Sequence, residues 1–292
     1  MDLKQFAMNV TQAVRWRPVA QANPWARPWQ RVDYKKKYDI FICGGAEHFD
    51  MLRTLLPRLY PFGRLHLASI TLTDRQLREL RPYYDRLHKP QHDPDGYLNF
   101  NLFCIRDLHR HAQAPFFIKL DADAALQDDW IDWVERGVAE HPEAVLLGIK
   151  EGVAKINFEL SGPLVRQKLG SDIRITDGRK VIGGFCVGQT AFFQQHHRFM
   201  QIIHELCYCF EDGRRHRPSP HPEEWREADG ADHSAFQLAG EYRDLQVIGN
   251  EDTLRSLVVH ALGAADRLLV LDSQEAIRVP HGPGFGHPRN WT

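Results

Sequence analysis

From Tyr38 onward, short apolar runs alternate with segments whose apolar residues recur every three or four positions, a pattern that predicts strands separated by helices. The run YDIFICGG, Tyr38 to Gly45, ends in glycines and reads as a buried strand. EHFDMLRTLLPRL follows, with Phe49, Leu52, Leu55, Leu56 and Leu59 on one helical face. RLHLASITLTD predicts a second strand, DRQLRELRPYYDRL a second helix with Asp74 near its start, and LNFNLFCIRDLHRHA a third helix. PFFIKLDAD is then a strand, DDWIDWVERGVAEHP a helix and AVLLGIK a strand. This order argues for an α/β fold with a doubly wound, mostly parallel sheet, in which ligands sit off the carboxyl ends of the strands. Asp121 and Asp123 stand at one such end.

After Lys150 the regularity fades. RKVIGGFCVGQTAFF predicts a strand with a glycine turn, and AFFQQHHRFMQIIHELCYCF an apolar helix. EDGRRHRPSPHPEEWREADGAD is a polar, proline-rich loop of a length that is usually functional or disordered. Helix DHSAFQLAGEYRDL, strand LQVIG, helix EDTLRSLVVHALG and strand RLLVLDS follow, before the tail RVPHGPGFGHPRNWT. Residues 1–36 read as a basic arm rich in Trp and Pro, where Pro18, Pro24 and Pro28 prevent a continuous helix. Packing of its tryptophans across the domain is the plainer expectation. Peripheral contact with an anionic membrane surface is the other.

Charge and cysteine usage narrow the function class. With a net charge of −1, the chain offers no electrostatic argument for nucleic acid as a partner. Its five cysteines (Cys43, Cys104, Cys186, Cys207 and Cys209) are odd in number and mostly lie in apolar runs, which fits free thiols better than a disulfide framework. No run approaches the roughly 20 apolar residues of a membrane span. The expectation is a cytoplasmic chain, at most peripheral at the inner face of a membrane.

The stretch APFFIKLDADAALQDDW sets two carboxylates one residue apart where a buried strand ends. Like charges that close raise each other's pKa, so structure alone is a poor reason for the pair. A cation between them is a better one, and hard oxygen ligands suit Mg²⁺ or Mn²⁺, which keep water and take phosphate oxygens as remaining ligands. A helix N-terminus with acids favoured by the macrodipole explains Asp128 and Asp129 better than it explains Asp121 and Asp123.

LNFNLFCIRDLHRHAQAPFFIKLDADAALQDDWIDWV resembles the centre of the GT-A glycosyltransferases, especially the family-2-like group, in which a strand ends in Asp-x-Asp. The resemblance implies a Rossmann-like, mostly parallel sheet flanked by helices, with a nucleotide-binding half over 37–150 and a smaller acceptor-side half over 151–292. It implies a nucleotide-diphosphate sugar as donor, a UDP-sugar favoured, held through a divalent ion, with a glycan or lipid-linked molecule as acceptor. Asp123 is then the direct metal ligand and Asp121 lies nearer the ribose or sugar. GGFCVGQTAFF, with Gly183 and Gly184, resembles the segment lining the acceptor and donor-sugar pocket, and GNEDTLRSL resembles the acidic helix start that supplies the base of inverting members, here Glu251 or Asp252. VPHGPGFGHPRNW resembles the C-terminal stretch whose histidine completes the metal shell, making His281 the first candidate and His287 the second. The likeness spans about Tyr38 to Trp291.

The sequence also departs from that pattern. The acidic residue that reads the base at the end of the second strand has no clean counterpart in ASITLTD, which leaves Asp74 in its place. GADHSAF offers Asp232 as a competitor for the catalytic base, and N-capping would account for all three acids. IKLDADAAL is also similar to the nucleophile strand of haloacid dehalogenase-type phosphatases, but Ala125 stands where those carry threonine. A nucleotidyltransferase of similar architecture would want a basic, glycine-rich loop after the first strand, and CGGAEHFD has the glycines with an acid instead. A non-catalytic binding module of the same fold is the remaining alternative.

Overall fold

The computed structural model describes residues 33–69, 71–89, 103–149, 155–181, 184–206, 253–272 and 276–278, with four short strand segments between 209 and 247. The chain divides between Asp33 and Tyr34 into two units, and the fold is that of the second. The strands are β1 (Tyr38–Cys43), β2 (Arg64–Ala68), β3 (Arg86–His88), β4 (Phe116–Asp121), β5 (Ala125–Leu126), β6 (Leu146–Ile149), β7 (Lys155–Leu160), β8 (Ile173–Arg179) and β9 (Phe185–Gln189). Short pairs β10 (Cys209–Glu211) with β11 (Arg214–His216) and β12 (Phe236–Gln237) with β13 (Gln246–Val247) precede β14 (Leu268–Leu271) and β15 (Ile277–Arg278).

Seven strands form the central sheet in the order β14-β6-β9-β4-β1-β2-β3. Every pairing in it is parallel except those of β9, which runs antiparallel to both β4 and β6. The fold is thus α/β with a mostly parallel sheet, as the alternation of patterns predicts. β1 is buried along its whole length, which is why YDIFIC is a nearly continuous apolar run rather than an alternating one. The strand order reverses between β1 and β4, the place where a doubly wound sheet opens a ligand crevice.

Each face of the sheet carries its own core. On one, α1 (Phe49–Leu59), α2 (Asp74–Leu80) and α3 (Trp130–Glu140) pack against Ile40, Ile42, Leu65, Leu67, Ile118 and Leu120. Leu52, Leu55, Leu56 and Leu59 of α1 are buried there, each contributing about 1.5–3 kcal/mol by area. On the other, α5 (Thr190–Gln195), α6 (His197–Leu206), α7 (Thr253–Ala261) and the turns over residues 103–111 cover Phe41, Phe117 and Cys186. The hairpin of β7 and β8, with α4 (Pro163–Leu169) between them, adds Phe158, Val165 and Ile175 to that second core. Cys43, Cys104 and Cys186 are buried free thiols, as expected, and among the described residues no helix is long and apolar enough to cross a membrane.

Several elements differ from the sequence pattern for identifiable reasons. The helix expected from Asp74 to Leu87 stops at Leu80: Pro82 has no N–H to continue the i→i−4 ladder, and the chain, with Arg81 still in the helical region, tightens into a 3-10 turn over Arg81–Tyr83. That frees Arg86–His88 to become β3, an edge strand hidden inside what reads as a helix. Where described, the expected third helix is a π turn, Phe103–Asp107, followed by a 3-10 turn, Leu108–His111. The apolar helix after β9 breaks at His196 into α5 and α6, where the Gln194 amide turns aside to donate to the His109 and Ala112 carbonyls, both at 3.0 Å. Phe236–Gln237 is a strand segment rather than part of a helix, in a stretch that Gly240 makes a poor helix.

His109 links the fold to pH. It is fully buried, its Nε2 3.1 Å from Nδ1 of His197, and burial, with lesser repulsion from Arg255 and His197, pushes its pKa down to about 2. The folded chain therefore keeps His109 neutral, whereas the unfolded chain protonates it below about pH 6.5. Stability from this group is complete above pH 6.5 and declines on acidification by up to about 1.4 kcal/mol per pH unit. Urea midpoints of the wild type and His109→Gln between pH 7 and pH 4.5 are expected to diverge, the variant losing less stability per pH unit; parallel slopes would contradict the assignment.

Candidate functional site

The crevice lies where β1 and β4 end side by side, in the register Cys43↔Asp121. Beyond β4 the chain turns at once: Ala124 N donates to Asp121 O at 3.1 Å. Backbone bonds hold this turn from two sides. Ala122 N donates to Cys43 O at 3.2 Å, and Asp121 N donates to Gly184 O at 3.0 Å at the start of β9. Gly44 makes the first contact feasible, because a Cβ there would lie 2.7 Å from the Ala122 Cβ. A third restraint comes from further along the chain: β5 pairs antiparallel with β15, Leu126 opposite Ile277 and Ala125 opposite Arg278. Arg58 of α1 donates to Leu126 O at 2.8 Å and to Asp128 Oδ1 at 3.1 Å, fixing the outer side.

The two aspartates of this turn have different surroundings. Lys119 and Asp121 point to the same face of β4 because side chains alternate along a strand, and the Lys119 ammonium donates to Asp121 Oδ1 at 2.6 Å. Lys119 is buried, so its charge is matched where it sits and Asp121 is neutralised by its own strand. Asp123 lies two residues on, half-buried, with Oδ1 shielded from solvent. Asp121 thus compensates a buried cation at the point where the turn begins. Carboxylate oxygens in this setting fit a hard divalent ion. Among the described residues no group of three or more His, Cys, Asp or Glu side chains converges on a metal position, so such an ion would take its remaining ligands from elsewhere in the chain, from phosphate oxygens and from water.

The other residues singled out in the sequence fall differently. Gly184 is buried and its carbonyl holds Asp121 N. Asp74 is exposed in the first turn of α2, 3.8 Å from the Lys89 ammonium, behind the Thr73–Gln76 capping box. Gly183, Asp232, Glu251, Asp252, His281 and His287 lie outside the described residues. α7 begins at the residue after Asp252, and its own anchors are well defined. Ser256 Oγ accepts from Val181 N at 2.9 Å, and the buried Arg255 donates to the Cys104 carbonyl and lies over the Phe117 ring, 5.8 Å away. α7 is thereby tied to β4 through Phe117 and to the backbone at Val181.

A row of polar groups that sequence reasoning passed over crosses the same face of the sheet. Asp39 of β1 and His66 of β2 are fully buried, with Asp39 Oδ1 3.0 Å from His66 Nε2. His66 Nδ1 lies 2.9 Å from Nε2 of His88, the last residue of β3. Burial alone would raise the Asp39 carboxyl. Hydrogen bonds from His66 and from the backbone N–H groups of Ala114, 2.7 Å, and Gln113, 2.5 Å, outweigh it and hold the pKa below the ordinary carboxylate range. Arg64, 3.4 Å from Oδ1, adds a compensating charge. Burial, then the neighbouring His66, His111 and Arg86, push His88 down to about 3, so that it is neutral at physiological pH. The available signal was a lone aspartate inside the buried run YDIFIC, in strand phase with histidines at 66 and 88.

No protein-family model matches the chain, and no curated protein matches it. Among solved structures it is similar to several glycosyltransferases. One is the Staphylococcus aureus TarS fragment 1-349, at 13% identity over 55% of this chain, with a TM-score of 0.34. Another is the Pyrobaculum calidifontis mannosyltransferase PcManGT in complex with GDP-Man and Mn²⁺, at 11% identity over 51% of this chain and 43% of that one, with a TM-score of 0.30. Mouse xyloside xylosyltransferase 1 is matched at 12% identity over 81% of this chain and 84% of that one, with a TM-score of 0.41. The chain spans 49% of the TarS fragment. At these scores the likenesses carry no argument about activity.

The contact between Gly44 and Ala122 is testable by compensation. Gly44→Ala is expected to destabilise by about 1–3 kcal/mol through overpacking, and Ala122→Gly, which removes the opposing methyl, should recover part of that loss in the double variant. Urea denaturation of the four proteins measures the coupling. Strictly additive effects would mean that the two loops do not press on each other.

Proposed function

We propose that the chain is an enzyme that moves a sugar from a nucleotide-diphosphate sugar to a hydroxyl of a glycan or lipid-linked acceptor, with a divalent metal ion at Asp123. The observation that carries this reading is the Asp121–Asp123 turn itself. It sits at the switch point of a doubly wound sheet, clamped by β1 and β9, with Asp121 paired to Lys119 and Asp123 two residues further along the same turn. A divalent ion bound there would supply Lewis-acid neutralisation of the departing diphosphate.

The rest of the assignment follows the chain. Arg278 pairs with Ala125, two residues past Asp123, and His281 is three residues further on. His281 is the first candidate for a further metal ligand and His287 the second. Asp252 or Glu251, both preceding α7 in the sequence, takes the proton of the acceptor hydroxyl as general base, giving inversion at the anomeric carbon. Asp232 is the competing base. Gly183 and Gly184 line the donor-sugar side, and Asp74 is the acid nearest the end of β2 in the chain.

A ligand that binds only the folded state stabilises it by RT ln(1 + [L]/Kd), about 2.7 kcal/mol at a hundredfold excess over Kd. Thermal denaturation with UDP or GDP and Mn²⁺ is expected to give a stabilisation that needs both nucleotide and metal and is lost in Asp123→Ala. No stabilisation by any nucleoside diphosphate, with or without Mn²⁺, would overturn the proposal.

A further inference from the structure

Lys119 stands inside β4 at a position where the buried run PFFIKL calls for an apolar residue. Its register neighbours are Phe41 on β1 and Cys186 on β9, neither of which offers a counter-charge, and its side chain is only 3% exposed. A buried ammonium costs free energy, and a methionine of similar volume would fill the position without that cost. The lysine reaches along its own strand toward the carboxyl end, where Nζ donates to Asp121 Oδ1 at 2.6 Å, at the residue that begins the turn. Asp121 is itself partly exposed, so the pair sits at the boundary between the core and the crevice.

That placement sets the charge which the turn presents. Asp121 and Asp123 bring two negative charges, and Lys119 cancels one of them. Asp128, on the outer side, is balanced by Arg58 at 3.1 Å. We propose that Lys119 is a positioning residue that occupies Asp121 Oδ1 and restricts the turn to one net negative charge, so that a divalent ion is held only together with the diphosphate whose own charges complete its neutralisation. The inference rests on the nucleotide and metal reading above and concerns order: the free protein holds the ion weakly, and the ion enters and leaves with the diphosphate. A unit positive charge about 6 Å from a divalent ion weakens its binding roughly tenfold even at the dielectric of water, and by more where solvent is shielded. A nucleoside diphosphate, itself an anion, offsets that repulsion.

Mn²⁺ binding without nucleotide, followed by electron paramagnetic resonance, tests this on the wild type, Lys119→Met and the double variant Lys119→Met/Asp121→Asn. The wild type is expected to bind weakly and to gain affinity once UDP is added. Lys119→Met is expected to bind at least about tenfold more tightly than the wild type without nucleotide, because the turn gains a full negative charge. Damage to the fold lowers metal affinity, so a rise separates this role from a merely structural one. The double variant leaves no charge of the pair unmatched, which keeps it folded where the single variant fails, and its affinity should lie within a few fold of the wild type. Equal or weaker binding by folded Lys119→Met, loss of Mn²⁺ binding in the double variant, or tight binding by the wild type without nucleotide overturns the inference; the proposed function stands as long as UDP and Mn²⁺ together still stabilise the wild type. No joint stabilisation by UDP and Mn²⁺ overturns both.

Discussion

Two backbone hydrogen bonds, Ala122 N to Cys43 O and Asp121 N to Gly184 O, fix the turn on which the rest of the site depends. They join the end of β4 to the end of β1 and to the start of β9, and so tie the two sides of the sheet's switch point to one short loop. An aspartate placed on a free loop would sample many positions; placed here, its backbone is held by the same ladder that holds the core. The absence of a side chain at Gly44 allows this approach, and the pairing of β5 with β15 closes it from the outer side.

Buried charge organises the face of the sheet beneath that turn. Lys119, Arg255, Asp39 and His66 are all solvent-shielded, and each costs free energy unless compensated. The compensations are unequal. Lys119 is matched by Asp121, and Asp39 by His66, Arg64 and two backbone N–H groups. Arg255 has a carbonyl and an aromatic face, and its Nε has no hydrogen-bond partner among the described residues. The polar row joins β1, β2 and β3 through direct side-chain contacts, Asp39 to His66 and His66 to His88, across a face that is mainly apolar.

The sequence carries much of the architecture because period and composition are local. YDIFIC, PFFIKLD and LLGI are buried strands whose apolar runs say so, and Asp121 ends β4 where the pattern ends it. What escaped has non-local causes. β3 is three residues long and follows a proline-broken helix, so its pairing with β2 decides its conformation rather than its own pattern. The antiparallel insertion of β9 between β4 and β6 leaves no mark on FCVGQ. The Asp39–His66–His88 row is assembled from strands up to 49 positions apart and becomes visible only when register places them side by side. Lys119 as the partner of Asp121 was within reach of sequence reasoning, since i and i+2 share a face of any strand.

The central claim is that Asp123 presents a divalent ion to a diphosphate at the end of β4. Anomalous diffraction from crystals grown with UDP and Mn²⁺ tests it most directly. The account predicts a manganese peak within coordination distance of an Asp123 carboxylate oxygen, with diphosphate oxygens on the same ion and the Lys119–Asp121 pair intact. Manganese bound away from the turn, or a diphosphate seated without any ion at Asp123, would contradict it.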